Sequence, residues 1–373
     1  MIRKVLIIGG GIGGLSTAIA LRKAGIDVDL VEIKTDWKVY HVGIIVQGNF
    51  IRAMAALGIA DKAVAAGFPY FGVKFQTLHG HTVAEIPGIP MAGPQLPTDL
   101  GMGRPALHKI LSEAALELGT NVRLGMTFNE IQQNENSATV TFTDGTSGEY
   151  DLVVGADGVH SKVRSRVFGD EHQPKFTGQG VWRYNVRRPA ALDVAVLCVG
   201  LEGGKCGAIP LSEDMGYVLL VQAEPGNPHH PADKLAEIFR QRLDACTGMM
   251  AELREQITDS SLVIYRPLEA LLMPAPWHKG RVLLIGDAAH ATTPHLGQGA
   301  AQAVEDGVVL GELLQRDEAL PVLLDEFMER RFERCKFIVE GSLQLGEWEM
   351  NPTPEADAPG LTKKMLGVMA QPI

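Results

Sequence analysis

Cysteine is scarce in this chain of 373 residues: Cys198, Cys206, Cys246 and Cys335 are the only four. They form no CxxC pair and no metal-type spacing, which argues against a disulfide framework, a zinc site or a redox-active cysteine pair. No metal is expected, and a reducing compartment, the cytoplasm, is the expected location. No apolar run approaches the roughly 18–20 residues that span a bilayer. The start RKVLIIGGG also lacks the apolar segment and cleavage site of a secretion signal, so no membrane association is expected. Positive charge is short as well, with 34 Lys and Arg against 44 Asp and Glu and a formal net charge of −10. That balance speaks against a nucleic-acid surface, which needs concentrated Lys and Arg. An anionic ligand would have to find cations locally. No internal repeat is visible.

Glycine, by contrast, is abundant at 42 residues, and some of it is placed with purpose. Val5–Ile8 suits a buried parallel strand, and Gly9, Gly11 and Gly14 follow it as GxGxxG, with Ile12 and Gly13 inside the turn. Leu15–Ala24 supplies a helix, Val28–Val31 a second strand, and Glu32 stands about twenty residues beyond the glycines, as the dinucleotide fingerprint requires. The first glycine permits the tight turn, the second lets the backbone approach a pyrophosphate, and the third lets helix and strand pack closely. Two later stretches repeat the logic of a strand ending in an acid. Asp151–Arg164 has an apolar strand tipped by Asp157-Gly158. Arg281–Asp306 ends its strand at Gly286-Asp287 and opens a helix near Gly297, Gln298, Gly299 and Ala300, whose free N–H groups would face negative charge. Turn and cap chemistry alone could also place such residues. Gly103-Arg104-Pro105 opens a further helix, with Arg104 either solvated or a donor to a phosphate.

These three stretches, in this order, resemble the single-component FAD-dependent aromatic hydroxylases related to para-hydroxybenzoate hydroxylase, from Lys4 to about Glu340. Arg104 in GRPALHKIL, Trp182-Arg183 and Trp277 with Gly280-Arg281 match as well. The resemblance implies FAD held by the glycine turn, Glu32 and Asp287, contacted by Arg104, with the helix start at 297–300 facing the isoalloxazine. Ile45, Phe128 and Asp157 complete the expected cofactor set. No second GxGxxG unit occurs, so NADH or NADPH is implied as a transient reductant. Reduced flavin then meets dioxygen to give a C4a-hydroperoxide that hydroxylates an electron-rich ring. Many relatives carry Gly-Ala-Gly-Ile where this chain has His41-Val42-Gly43-Ile44, so His41 is expected to narrow or polarise the cavity.

The implied fold class is α/β: a Rossmann-type FAD-binding domain with an inserted, mostly antiparallel β-sheet substrate domain and a C-terminal helical region. Expected FAD-binding segments are 1–73, 98–173 and 266–320, substrate-domain segments 74–97 and 174–265, and a C-terminal helix and tail 321–373. A proline-rich stretch with Pro87, Pro90, Pro94 and Pro97 marks a crossing between lobes. In the second lobe Arg183 and Tyr217 are the polar candidates for substrate contact, against ion-pairing or structural roles. His290 and His295 flank the flavin loop. His290 is expected to brace the turn; His295 is the candidate base, because a phenol is a better electron donor once deprotonated. The expected substrate is a small phenolic or hydroxy-heteroaromatic compound, a carboxylic acid included. Alternatives are a same-fold epoxidase, a tailoring oxygenase on a polycyclic compound, or a non-catalytic flavin-binding protein. A homodimer is left open.

Overall fold

The computed structural model describes residues 1–37 and 39–373. Its first layer is a six-stranded sheet ordered His278–Lys279, Val282–Leu284, Leu152–Gly155, Lys4–Ile8, Asp27–Glu32 and Asn121–Leu124. All neighbours run parallel except the first pair. Strands buried on both faces must be apolar throughout, and VLII, LVV and VLL meet that demand; Val5, Leu6, Leu152, Val153 and Leu283 are fully buried. The helix Ile12–Lys23 follows the first strand directly. Gly9 makes that turn possible at φ +115°, and a Cβ on Gly14 would collide with the Gly9 carbonyl.

The second layer is a seven-stranded sheet ordered Ile264–Ala270, Lys175–Arg187, Met215–Ala223, Gly204–Pro210, Ala195–Leu201, Val73–Thr77 and Thr82–Ile86. It is antiparallel but for one pair, Ala195–Leu201 with Val73–Thr77. Side chains alternate across its faces. Trp182, Cys206 and Leu220 point to a core shared with Phe239, Leu243 and Met250. The opposite parity, Arg183, Leu219, Leu197 and Phe75 along one registered row, faces a cavity beneath the sheet. All four cysteines are buried free thiols; Cys206 and Cys246 lie 3.5 Å apart, sulfur to sulfur, despite their separation in sequence.

Two helices close the structure. Leu320–Met350 runs 31 residues. The segment from Asn351, expected as a tail, instead carries a helix, Ala358–Ala370, whose first turn is capped by Asp357 accepting from Gly360 N at 2.8 Å. Proline and glycine at its start gave it the look of a tail, whereas Pro359 occupies a first-turn position that a helix tolerates. Its apolar face packs Met365, Leu366 and Met369 into a third apolar cluster with Leu296, Ile338 and Leu345. Among the described residues no helix is long and apolar enough to cross a membrane.

Candidate active site

Between the two layers lies a cavity of about 1070 Å³, with a second of about 370 Å³ at the glycine turn. Gly11, His108, Ala156 and Gly158 border both. Ligand pockets are commonly about 300–1,000 Å³, so the pair has room for two ligands.

The smaller cavity is built by the first strand–turn–helix. Glu32 accepts from Gly10 N at 2.7 Å and from Lys34 N at 2.9 Å, which fixes its carboxylate at the rim. Gly9 and Gly10 line the space, and a Cβ on Gly11 would meet nothing within 4 Å. Asp157 also lines it, but its carboxylate accepts from Ser161 Oγ at 2.5 Å and from the N–H groups of Lys162 and Val163. It therefore satisfies the first free N–H groups of the helix Lys162–Phe168, whose N-cap is Ser161. Phe128 does not reach either cavity: its ring is in the core, and Thr127 borders the smaller space instead.

In the larger cavity Ile12, Gly13, Ile45, Arg104, Asp287, Gly297, Gly299 and Ala300 all contribute lining. Gly297 takes φ +68°, turning the loop into the helix Gly299–Leu313 with its N-terminus at the cavity. Gln298 points the other way. It is buried against Gln47, Asn49 and Gln302, in a chain of amides that continues to Glu305 and Arg331. His41 is likewise no cavity residue: its side chain is exposed and its carbonyl accepts from Asn185 Nδ2 at 2.8 Å. It lies in a bend two residues before the strand Gly43–Gln47, where its side chain is turned to the surface while its neighbour Val42 is buried at the cavity. Gly43 is required there, because a Cβ would run into the Tyr217 ring.

Four polar side chains face the cavity with no hydrogen bond seen among the described residues: Arg183, Asp287 and the hydroxyls of Tyr70 and Tyr217. Arg104 joins them, its Nε buried and unpartnered. Burial raises the Asp287 carboxyl above the usual range, opposed by His290 and Arg104. Burial lowers the Arg183 guanidinium to about 10, and nearby Arg104 adds to this. The Tyr217 phenol is pushed up by burial against the pull of both arginines, which makes it a donor and a poor base. A buried orphan guanidinium and an open carboxylate beside a glycine-lined cradle are the groups that a phosphate- and sugar-bearing cofactor satisfies, so the site fits FAD.

His290 braces the acid-bearing turn. Its Nε2 lies 2.7 Å from Asp306 Oδ2, and the same oxygen accepts from Gly286 N at 2.9 Å. Burial disfavours the charged ring, but Cys335 and Asp306 outweigh it and hold the imidazole well above its ordinary range. His290, Asp306 and Cys335 are metal-ligand types within reach of one another. The cation placed among them is Arg331, 2.8 Å from Asp306 Oδ1 and 3.4 Å from the Cys335 sulfur.

His295 borders the cavity with both ring nitrogens engaged. Nδ1 lies 2.8 Å from Thr293 Oγ1, and Nε2 lies 3.2 Å from Glu349 Oε2. Lys205 sits 2.8 Å from the other Glu349 oxygen. Despite burial, Lys205 and His295 hold the Glu349 carboxyl down at about 2. An ionised Glu349 fixes the proton on Nε2, so Nδ1 accepts from the Thr293 hydroxyl and the resting ring is neutral; burial and Lys205 lower its affinity for a further proton. Sequence reasoning missed both Thr293 and Glu349. Thr293 sits two residues before His295 in the flavin loop; Glu349 lies 54 residues from His295, with no local signal.

The comparisons with known proteins agree with this geometry. A family model described as FAD binding domain matches residues 3–342. The chain is 34% identical over 360 residues to the 2-heptyl-3-hydroxy-4(1H)-quinolone synthase of Pseudomonas aeruginosa, covering 92% of this chain and 90% of that one. It is 32% identical over 355 residues to the aurachin C monooxygenase/isomerase of Stigmatella aurantiaca, with coverage of 92% and 90%. Among solved structures, Klebsiella pneumoniae HpxO complexed with FAD and uric acid superposes with a TM-score of 0.87 at 26% identity, over 98% of this chain and 96% of that one. With the glycine turn, the two acid-tipped strands and a family match across nine-tenths of its length, the chain belongs to the FAD-binding-domain family of FAD-dependent monooxygenases, enzymes that hydroxylate aromatic and heteroaromatic compounds.

Proposed function

We propose that this protein uses NADH or NADPH to drive hydroxylation of a small phenolic or hydroxy-heteroaromatic compound, an acid or its neutral analogue, in a reducing cytoplasm. The observation that carries the reading is the cavity's polar equipment: Arg183 and Tyr217 on the roofing sheet, opposite a hydrogen-bonded series from Thr293 through His295 to Glu349. FAD, when bound and reduced, supplies the activated oxygen. The glycine turn and Glu32 would take its adenosine end, Asp287 its ribityl hydroxyls, Arg104 its phosphates, and the N-terminus at 297–300 the flavin ring.

The protein's own groups prepare the substrate. Arg183 and the Tyr217 hydroxyl donate to the substrate's oxygen or carboxylate, which suits a chain that must create positive potential locally. The substrate hydroxyl gives its proton to Thr293 Oγ1 as Thr293 passes its own to His295 Nδ1. The imidazolium so formed is stabilised by Glu349 at Nε2, the division of labour found in hydroxyl–imidazole–carboxylate series generally. His295 thus acts through Thr293 rather than as an open base.

A panel of phenols, hydroxypyridines and hydroxyquinolines, with and without a carboxylate, should contain compounds that stimulate NAD(P)H oxidation and yield hydroxylated product. Arg183→Met should raise KM more for an acid than for its neutral analogue if the substrate is an acid. Equal changes would assign Arg183 to the ring oxygen instead. A panel without any stimulation or product would leave a flavin-binding protein without this turnover.

A further inference from the structure

The larger cavity does not end at the flavin loop. It continues between the roofing sheet and the two closing helices into a stretch of different character. From the sheet come Val199, Leu201 and Ile86; from the helices come Leu345, Trp348 and Leu366. None of these belongs to the glycine turn, Glu32, Arg104 or Asp287. The charges that border this arm, Lys205 and Glu349, are already paired at 2.8 Å. Among the described residues, the charges that border this arm leave no unpaired group for a sugar or phosphate.

The wall is a built feature. Ala358, Thr362 and Leu366 recur every four residues of the terminal helix, so they share one face, and all three line the cavity. The Thr362 hydroxyl donates back to the Ala358 carbonyl at 2.9 Å and so adds no free polar group. The helix is anchored at its far end: Arg334 donates to the carbonyls of Val368 and Met369, both at 2.9 Å, and Arg52 to Met369 at 3.1 Å. Both arginines also contact Glu305 on the helix that starts at the flavin loop. Cations at a helix C-terminus complement its dipole. The third apolar cluster, which includes Leu296, Ile338 and Met365, backs this wall, so part of its apolar surface is turned toward the cavity.

We infer that this arm is a subsite for an uncharged, unbranched alkyl extension on the aromatic substrate, with the terminal helix setting the length it accepts. The inference rests on the hydroxylase reading for the ring end of the same cavity. Apolar surface left facing a cavity gains stability when an apolar group displaces the water there, in proportion to the area covered.

The test is calorimetric titration of the FAD-loaded protein with 4-alkylphenols from methyl to nonyl, alongside turnover of each. Kd should fall about fourfold per added methylene until the arm is filled and then level off. Thr362→Trp and Ala358→Trp, each checked for retained flavin absorbance, should move that plateau to shorter chains and weaken heptyl binding more than methyl binding. A Kd that does not respond to chain length, no binding of any member, or a plateau unmoved in both variants would overturn the subsite. Hydroxylation of 4-methylphenol without a chain-length gain would overturn the arm and leave the hydroxylase reading standing. A chain-length gain without any hydroxylated product would do the reverse.

Discussion

At the scale of single residues, the site turns on which polar groups are free and which are spoken for. Arg183, Tyr217, Arg104 and Asp287 face the cavity with no hydrogen bond seen among the described residues, whereas His295 has a partner on each nitrogen. If the Thr293–His295–Glu349 series carries the substrate proton, His295→Ala should slow hydroxylation by about 10²–10⁴-fold. The same variant should divert reducing equivalents to hydrogen peroxide, and the deficit should shrink at high pH, where the phenol ionises unaided. Glu349→Gln should give a smaller deficit with the same pH dependence, because it destabilises the imidazolium without removing it. Stopped-flow turnover with a peroxide assay across pH decides this; wild-type rate and coupling in His295→Ala would reduce the series to loop packing.

At the scale of elements, strands and turns were legible where local chemistry dictates them. The glycines demanded a turn that only a strand before and a helix after could use, and the second lobe offered Arg183 and Tyr217 as polar candidates; that they share a face follows from the strand register. Contacts made across the chain were not legible. Glu349 reaches His295 only because the long helix runs its full 31 residues past the flavin loop. The terminal helix completes its apolar face against Leu296 and Ile338, which nothing near residues 358–370 announces. The motifs around His41 and Gln298 suggested cavity positions, whereas a bend before the strand turns His41 to the surface and an amide network holds Gln298 away. Gly43 shows the coupling of two elements most sharply, since its missing Cβ is the space that the Tyr217 ring fills. Gly43→Ala should cost about 1–3 kcal/mol by overpacking and displace Tyr217. Urea unfolding with a substrate-binding titration would show both; an unchanged midpoint and affinity would mean the two strands separate freely.

At the scale of the whole molecule, a buried ionic network ties the acid-bearing turn to both closing helices. Arg331 joins Asp306 and Glu305, Arg334 joins Glu305 to the terminal helix, and His290 joins Asp306 to the turn. Burial alone would raise the Asp306 carboxyl, but His290 and Arg331 hold it down at about 2. A folded value below the unfolded one stabilises the protein above about pH 4, and that contribution, about 2 kcal/mol, is lost as pH falls from there through about 2. Asp306→Asn should be destabilised near pH 6 by about 3–5 kcal/mol, because it leaves Arg331 partly unpaired, and should lack that acid-side slope. Urea midpoints between pH 2 and 6 measure both, and an identical slope in the variant would place the acid sensitivity elsewhere.

On the proposed reading, a cofactor cradle, the Arg183 and Tyr217 roof and the Thr293–His295–Glu349 series serve one cavity whose central chemistry is oxygen transfer to a ring. The most direct measurement is mass spectrometry of product formed under ¹⁸O₂ with NADH or NADPH and a hydroxylated aromatic substrate. One labelled oxygen atom per product, formed only when the nicotinamide is consumed, is the predicted result. Product whose new oxygen comes from water, or nicotinamide oxidation that no aromatic compound stimulates, would contradict it.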